Sequence, residues 1–287
     1  MKKEEILIEA LPYIRRFYGS KIVIKVGGHA LVDKNIMDSI TQDIVLLRYV
    51  GIKPVIVHGG GPEITQIMEK LNKKPKFIGG LRITDDETLE IVRMVLVGSV
   101  NERIVSLIGK HGGKGIGLSG NDGNLIVAKK KGKQKVEGEE IDLGWVGETE
   151  EINNEIIDIT TAKDYIPVIS PIAVDTAGNS LNVNADLVAG EIACAINADK
   201  LIMLTDVLGL LRNTDDSSTL IPQATQAEIK ELIATGIIGE GMLPKAEGCL
   251  KATSGGVTAH IIDGRNPHTL LLELFTDKGT GTMILNE

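Results

Sequence analysis

The chain has 287 residues, 43% hydrophobic and 24% charged, room for one large α/β unit or two lobes and unlike a disordered or collagen-like composition. Lys and Arg number 31 against 39 Asp and Glu, a net charge of −8, and aromatics are few (one Trp, four Tyr, three Phe); without a basic surface or a stacking platform, nucleic acid is excluded as an expected partner. No apolar run approaches the ~20 residues of a membrane span, and Lys2, Lys3, Glu4, Glu5 and Glu9 leave no signal-peptide core, so no membrane association and a cytoplasmic location are expected.

Residues 1–19 stand apart. Ile6, Leu7, Ala10, Leu11, Ile14, Phe17 and Tyr18 form an apolar seam at heptad-like spacing, with Pro12 placed to kink the helix. The seam either packs on its own subunit or reaches a neighbouring chain, and the second reading makes 1–19 an oligomerisation helix. Short apolar runs follow at 21–26, 55–57, 116–118, 168–169 and 201–204, most leading into glycine or a polar turn and then helical periodicity. That alternation predicts an α/β fold, a mainly parallel sheet covered on both faces. Apolar spacing of three and four predicts helices over 35–50, 62–72 and 86–109. Residues 125–150 alternate instead, which predicts antiparallel strands, with the lysine cluster at 129–135 as a solvated hairpin tip. A helix over 186–197 ends near Ala198, where a boundary is expected between a 20–197 lobe and a 198–287 lobe. Cys194 and Cys249 sit in no metal or redox spacing and read as small buried hydrophobes.

Glycine, at 33 residues, exceeds the usual ~7% and concentrates where chemistry is expected. The first strand ends in Lys25-Val26-Gly27-Gly28-His29, the second in His58-Gly59-Gly60-Gly61-Pro62. Two glycine turns at the carboxyl ends of adjacent parallel strands, each opening a helix, aim backbone N–H groups and positive helix ends at an anion, for which phosphate is the natural choice. Neither turn is G-x-G-x-x-G and no P-loop motif occurs, which disfavours a dinucleotide fold and a P-loop ATPase. Lys25 lies inside an apolar strand, where an ammonium needs an anion beside it. Asp186, in Asn182-Val183-Asn184-Ala185-Asp186, either caps the next helix or orients a lysine. Thr205-Asp206-Val207-Leu208-Gly209 ends a later strand, and Lys245 follows Gly241-Met242-Leu243-Pro244 at a helix start, a place that suits a cation only with an anion nearby.

The ordered motifs KVGG, VHGGGPEI, GGLRITD, GLSGNDGNLI, DLGWVGE, NVNAD, LTDVLGLL and GMLPK together resemble the amino acid kinase family, and within it the acetylglutamate kinases of arginine biosynthesis, over almost the whole chain. The resemblance implies a three-layer sandwich with a central mainly parallel sheet, an N-terminal lobe for the acyl substrate and dimerisation, and a C-terminal lobe for ATP. It implies that Lys25 and Lys245 neutralise the transferring phosphoryl group from opposite sides while Asp186 holds both. Gly27, Gly28, Gly59 and Gly60 would offer backbone donors, Arg82 and Asn182 would grip N-acetyl-L-glutamate, and Thr205, Asp206 and Gly209 would line the nucleotide site. His29 departs from a position often held by another small polar residue, which leaves its role open. The chemistry agrees with this reading. A γ-carboxylate of pKa ~4.3 is already ionised at neutral pH, so phosphorylation needs no general base, only cations, backbone donors and Mg²⁺ to offset repulsion from ATP. No protein metal site is expected.

The C-terminal stretch holds His260, Asp263-Gly264-Arg265, His268 to Phe275 and Gly279-Thr280-Gly281-Thr282. As structure alone it reads as a buried edge strand followed by a loop. With the N-terminal helix it resembles the arginine-inhibited subclass, in which three dimers interlace through those helices. On that resemblance Glu273 meets the guanidinium of L-arginine, with Tyr18, Lys200, His260 and Gly279 as further effector-site candidates. Two competing readings stand beside this one: a kinase for an N-acylated acceptor one methylene longer, and a catalytically idle amino-acid sensor, against which Lys25, Asp186 and Lys245 argue.

Overall fold

Runs of Val, Ile and Leu between glycine or polar turns become strands, and segments with apolar spacing of three and four become helices. The computed structural model describes residues 3–136, 139–239, 241–277 and 279–286. In chain order the first half holds α1 (Lys3–Phe17), β1 (Lys21–Val26), α2 (His29–Val32), α3 (Lys34–Tyr49), β2 (Lys53–His58), α4 (Gly61–Lys70), β3 (Phe77–Ile78), β4 (Leu81–Arg82), α5 (Asp86–Arg93), α6 (Asn101–Lys110), β5 (Gly115–Ser119), β6 (Ile126–Lys130), β7 (Lys133–Val136) and β8 (Glu139–Asp142). The second holds β9 (Gly147–Ile152), α7 (Glu155–Ala162), β10 (Ile166–Ser170), β11 (Ile172–Val174), β12 (Ser180–Asn182), α8 (Ala185–Ala195), β13 (Lys200–Thr205), β14 (Gln223–Thr225), α9 (Gln226–Ala234), α10 (Leu243–Ser254), β15 (Thr258–Asp263), α11 (Thr269–Phe275) and β16 (Gly281–Leu285).

One eight-stranded sheet in the order β14-β16-β15-β13-β1-β2-β10-β5 organises the molecule. From β15 to β5 neighbouring strands run parallel, and β16 lies antiparallel to β15. Side chains alternate across this sheet into two cores. Val23, Val55, Val57, Leu201 and Met203 meet Val188, Ala189, Ile192, Ala246, Cys249 and Ala252 on one face. Ile22, Ile24, Ile56, Ile202 and Leu204 meet Ile40, Ile44, Leu47, Ile104, Leu270 and Phe17 on the other. Helices α8 and α10 therefore cover one face, and α1, α3, α6 and α11 the other, which makes the expected three-layer sandwich. A four-stranded sheet, β12-β11-β6-β9, and two ribbons, β3-β4 and β7-β8, stand beside it. Among the described residues no helix is long and apolar enough to cross a membrane.

Three expectations change. The helix read over 86–109 is α5 and α6 joined by a π-helical turn, Met94–Val100, so the continuous apolar period conceals a local change of winding. Lys129, Lys130 and Lys133 are exposed, but the cluster lies along β6, its connection and β7; the side chain of Lys135 and residues 137–138, between β7 and β8, lie outside the described residues. The C-terminal stretch is not an edge strand and a loop, because β15 lies between β13 and β16 and Thr269–Phe275 is helical. Its run of leucines serves a short helix packed on the sheet face rather than a strand.

Of the N-terminal seam, the side chains of Ile6 and Leu7 lie outside the described residues. Phe17 is buried in its own subunit and Tyr13 donates to Asp277, while Leu11 is exposed. The end of α1 is thus anchored on its own chain, and its beginning offers Ile8, 69% exposed. Cys249 is fully buried, its thiol pushed up by burial, and Cys194 is half-buried with its thiol on the Lys251 carbonyl.

Candidate active site

The carboxyl ends of β13, β1 and β2, three adjacent central strands, carry Thr205, Lys25 and His58, and the turns that follow open outward together. Lys25 is 5% exposed, and its ammonium folds back over its own turn so closely that a Cβ on Gly27 would stand 2.3 Å from Nζ. Only glycine leaves the ammonium that place. Its anion is Asp186, whose Oδ1 lies 2.7 Å from Lys25 Nζ, off the hydrogen-bond line but at ion-pair distance. Lys245 Nζ lies 3.6 Å from Oδ2 of the same carboxylate and donates to the Gly241 carbonyl. Burial pushes the Asp186 carboxyl upward, but Lys25 and Lys245 outweigh it and hold it below the usual carboxylate range.

Asp186 is free for this task because it does not cap α8. Asn184 does, its Oδ1 accepting from Asp186 N and Leu187 N. The cap alternative therefore belongs to Asn184, two residues earlier. Asp186 and Lys245 come together because α8 and α10 touch through glycine. A Cβ on Gly190 would stand 2.1 Å from the Gly248 carbonyl, and one on Gly248 would stand 2.3 Å from the Asp186 carbonyl. Sequence reasoning overlooked this pair; glycines at Gly190 and Gly248 inside otherwise helical runs were the available signal.

Two cavities flank the Lys25–Asp186–Lys245 bridge. The first, about 280 Å³, is lined by Lys25, Gly28, Gly59, Gly60, Ile64, Leu96, Arg82, Asn182 and Asp186 among others. Arg82 is 7% exposed, donates to the Gly61 carbonyl and Thr65 Oγ1, and stacks over Phe77 at 4.6 Å. Burial lowers its pKa, and among the described residues no carboxylate pairs with it, so this guanidinium is placed to receive an anion. Asn182 donates to Thr84 Oγ1. The second cavity, about 360 Å³, has apolar walls from Val207, Leu210, Ile238 and Met242, with Thr205, Asp206, Gly209 and Lys245 at polar positions. Thr205 Oγ1 donates to Asp206 Oδ1. All residues of the first cavity precede residue 187 and all of the second follow residue 204.

Gly28 takes a left-handed φ of 57°, and Gly60 opens α4 with Pro62 in its first turn. The side chain of His29 lies outside the described residues. Near the first cavity, Trp145 donates to Asp86 while Lys130 stands over its ring at 3.4 Å, tying the β6–β9 arm to α5.

Away from this cleft, Lys200 Nζ lies 2.7 Å from His260 Nε2, and His260 Nδ1 lies 2.6 Å from Glu273 Oε1. Glu273 Oε2 also accepts from Thr280 N and Oγ1, and a Cβ on Gly279 would stand 3.7 Å from it. Burial, with Lys200 adding to it, keeps His260 low despite Glu273, consistent with a neutral ring that donates through Nδ1 and accepts at Nε2. Tyr18 is 74% exposed, with its ring against Gly51.

A sequence profile described as the amino acid kinase family matches residues 20–263. Acetylglutamate kinase of Methanococcoides burtonii is 62% identical, with 100% of this chain and 96% of that one covered. Acetylglutamate kinase of Methanothrix thermoacetophila is 60% identical over 100% and 99%. Among solved structures, N-acetylglutamate synthase from Neisseria gonorrhoeae, complexed with coenzyme A and N-acetyl-glutamate, shares the fold at a TM-score of 0.87 and 24% identity; all of this chain matches 64% of that one. Glycine turns, cavities and full-length similarity agree, and the chain belongs to the amino acid kinase family.

Proposed function

We propose that this chain transfers the γ-phosphoryl group of ATP to the γ-carboxylate of N-acetyl-L-glutamate, the second step of arginine biosynthesis, giving the acyl phosphate and ADP. The observation that carries this reading is the Asp186 carboxylate bridging Lys25 and Lys245 between two cavities. Phosphoryl transfer between two anions requires charge compensation on the line joining them, and a carboxylate nucleophile requires no base. With Asp186 neutralising one of three cations, Lys25, Lys245 and Arg82 leave the cleft net positive. Arg82 and Asn182 suit the α-carboxylate and amide of the acceptor. Gly28 and Gly60 supply backbone near the transferring group; the Gly59 N–H, expected as a further donor, is instead taken by the Val26 carbonyl, and Gly27 gives the Lys25 ammonium its room.

The split of the cavities at residues 187–204 supports an acyl lobe over 20–197 and a nucleotide lobe over 198–287, joined by one sheet through the β1–β13 pairing. The apolar second cavity suits a nucleobase, with Thr205, Asp206 and Gly209 at its edge. Among the described residues no group of three His, Cys, Asp or Glu side chains is arranged for a metal, and both Asp186 oxygens face ammonium groups. This donor set fits Mg²⁺ carried by the nucleotide phosphates and water rather than by a protein cage. When bound there, Mg²⁺ supplies further charge neutralisation.

L-Arginine is proposed as an inhibitor acting at Lys200, His260, Glu273 and Gly279, in an assembly of three dimers joined through residues 1–19; Tyr18, whose ring lies against Gly51, is the outlying candidate. Support comes from the buried Glu273 carboxylate on α11 and from the exposed Ile8 side chain in the first half of α1.

The test is turnover of purified protein with ATP, Mg²⁺ and a panel of acceptors, with the acyl phosphate trapped as hydroxamate. N-acetyl-L-glutamate is expected to exceed glutamate, aspartate, carbamate and an N-acetylated acceptor one methylene longer. Equal or better turnover of an unacetylated acceptor would overturn the assignment.

A further inference from the structure

We infer that His58, held by Asn101, is a positioning residue that sets the Gly59–Gly60 peptide so that the Gly60 N–H faces the reacting phosphoryl group. The inference rests on the proposed phosphoryl transfer for its function, and on the geometry of the turn for its substance.

Each peptide around this turn has its own anchor. Gly59 N donates to the Val26 carbonyl at 2.8 Å, and the Gly60 carbonyl accepts from Ile64 N at 2.9 Å as the first acceptor of α4. The peptide between them is anchored by His58, whose Nδ1 lies 2.8 Å from the Gly59 carbonyl. Among the described residues no other group bonds that carbonyl, and no acceptor meets the Gly60 N–H. In a trans peptide the C=O and N–H point in opposite directions. Holding the Gly59 carbonyl toward the buried imidazole therefore directs the Gly60 N–H outward, at the cavity that Gly60 lines.

The tautomer follows from the partners. A carbonyl can only accept, so Nδ1 carries the proton. Nε2 lies 3.2 Å from Asn101 Nδ2, which also donates to the Val168 carbonyl at 2.8 Å. Nε2 is thus the acceptor, and the neutral Nδ1–H ring satisfies both contacts. Asn101 is itself held closely, since a Cβ on Gly117 would stand 2.2 Å from its Oδ1. His58 is fully buried, and burial lowers its pKa to about 4, with the charges of Arg103 and Lys25 acting in the same direction. Both ring nitrogens are occupied and the ring stays neutral, so His58 is not a proton carrier. Its effect passes through the backbone donor that it aims, and a donor aimed at developing charge acts mainly on the transition state.

The experiment combines ¹⁵N NMR of the imidazole with kinetics of His58→Leu, His58→Asn and Asn101→Leu, each checked for folding by circular dichroism. In the wild type the ring is expected as the neutral Nδ1–H tautomer from about pH 6 to 9. His58→Leu is expected to lose on the order of 10–100-fold in kcat, with KM for ATP and acceptor changed roughly twofold or less. His58→Asn, which keeps a donor near the Nδ1 position, should regain most of the loss. Asn101→Leu should lower kcat and shift the ring toward Nε2–H. An Nε2–H or charged ring in the wild type, an unchanged kcat in His58→Leu, or an asparagine no better than leucine would overturn the inference. Should the leucine variants not fold, the wild-type tautomer and the asparagine variant still decide. A wild type inactive on N-acetyl-L-glutamate would instead count against the acceptor assignment, which the NMR does not depend on.

Discussion

Asp186 holds Lys25 at 2.7 Å through one carboxylate oxygen and Lys245 at 3.6 Å through the other, and that asymmetry distinguishes the two lysines. Lys25 is locked in a strand and enclosed by its own glycine turn, while Lys245 sits in the first turn of α10 at the mouth of the second cavity. Lys25→Ala and Lys245→Ala are both expected to lower kcat by on the order of a hundredfold or more with smaller changes in KM, because the charge they meet is largest in transfer. Asp186→Asn should lower kcat comparably and also destabilise the fold by about 3–5 kcal/mol, since it leaves a buried ammonium without its anion. Steady-state kinetics and urea unfolding of the three variants separate these effects; wild-type kcat in either lysine variant would remove its role.

Arg82 predicts the opposite kinetic emphasis. Its guanidinium is held in place by Gly61, Thr65 and Phe77, none of which belongs to the reacting groups, so its grip on a carboxylate should be the same in ground and transition states. Arg82→Ala is expected to raise KM for N-acetyl-L-glutamate about 10–100-fold, from the ~1.5–3 kcal/mol of a charged hydrogen bond, with a smaller change in kcat. Arg82→Lys should not restore it, because an ammonium cannot keep both the stack and the fork.

The contact of α8 with α10 makes the active site sensitive to a methyl group placed behind it. In Gly248→Ala the new Cβ would meet the Asp186 carbonyl at 2.3 Å and Met203 Cε at 2.8 Å; the methionine end can swing aside, but the Asp186 backbone cannot. The helices must separate, which moves Lys245 away from Asp186. An overpacking cost of roughly 1–3 kcal/mol is expected, seen as a lower Tm, with a fall in kcat that an alanine on the exposed side of α10, at Glu247, does not produce.

His58 also gives the fold a pH dependence. The unfolded chain binds a proton at this residue below about pH 6.5, the native chain only below about pH 4. Stability is therefore full above the first value and falls as pH drops toward the second, by roughly 3 kcal/mol over the window. His260, also held low by burial, adds in the same direction. Urea unfolding of His58→Asn across this range should show a shallower decline than the wild type; an identical slope would mean that the imidazole is already protonated in the native protein.

Much of this architecture was legible because parallel strands buried on both faces are written as continuous β-branched runs. The runs at 21–26 and 201–204 fall almost residue for residue on β1 and β13, and the lysine that interrupts the first run was readable as a site residue because nothing apolar tolerates it. Asp186 was legible as a partner but ambiguous as a cap, since Asn184 and Asp186 are both capping residues and only the backbone decides between them. The π-helical turn at Met94–Val100 was hidden, because an added residue in one turn barely disturbs an apolar period. The His58–Asn101 contact was out of reach for a different reason. Its residues lie 43 positions apart on a strand and a helix, and no spacing rule links them.

Regulation by arginine is the remaining expectation, and the geometry sharpens what it requires. Glu273 already accepts from His260 and from Thr280, so a guanidinium arriving at this carboxylate must share it with them or displace one. The cluster sits close to α1 as well: Lys200 lies 5.6 Å from the Phe17 ring, and Tyr13 of the same helix reaches Asp277 beyond α11. An effector here would therefore act where the N-terminal helix is fastened to the body, and it shifts the enzyme only if two arrangements of that joint bind it unequally. L-Arginine is expected to inhibit the wild type in a hexamer. Removal of residues 1–19 should give active dimers with weaker, less cooperative inhibition. Glu273→Gln should weaken arginine binding tenfold or more, on the scale of ~1.5–3 kcal/mol for a charged contact, while the hexamer persists. Light scattering paired with inhibition curves on the three proteins tests this, and a dimeric wild type, or one indifferent to arginine in the millimolar range, would refute the link between the two ends of the chain.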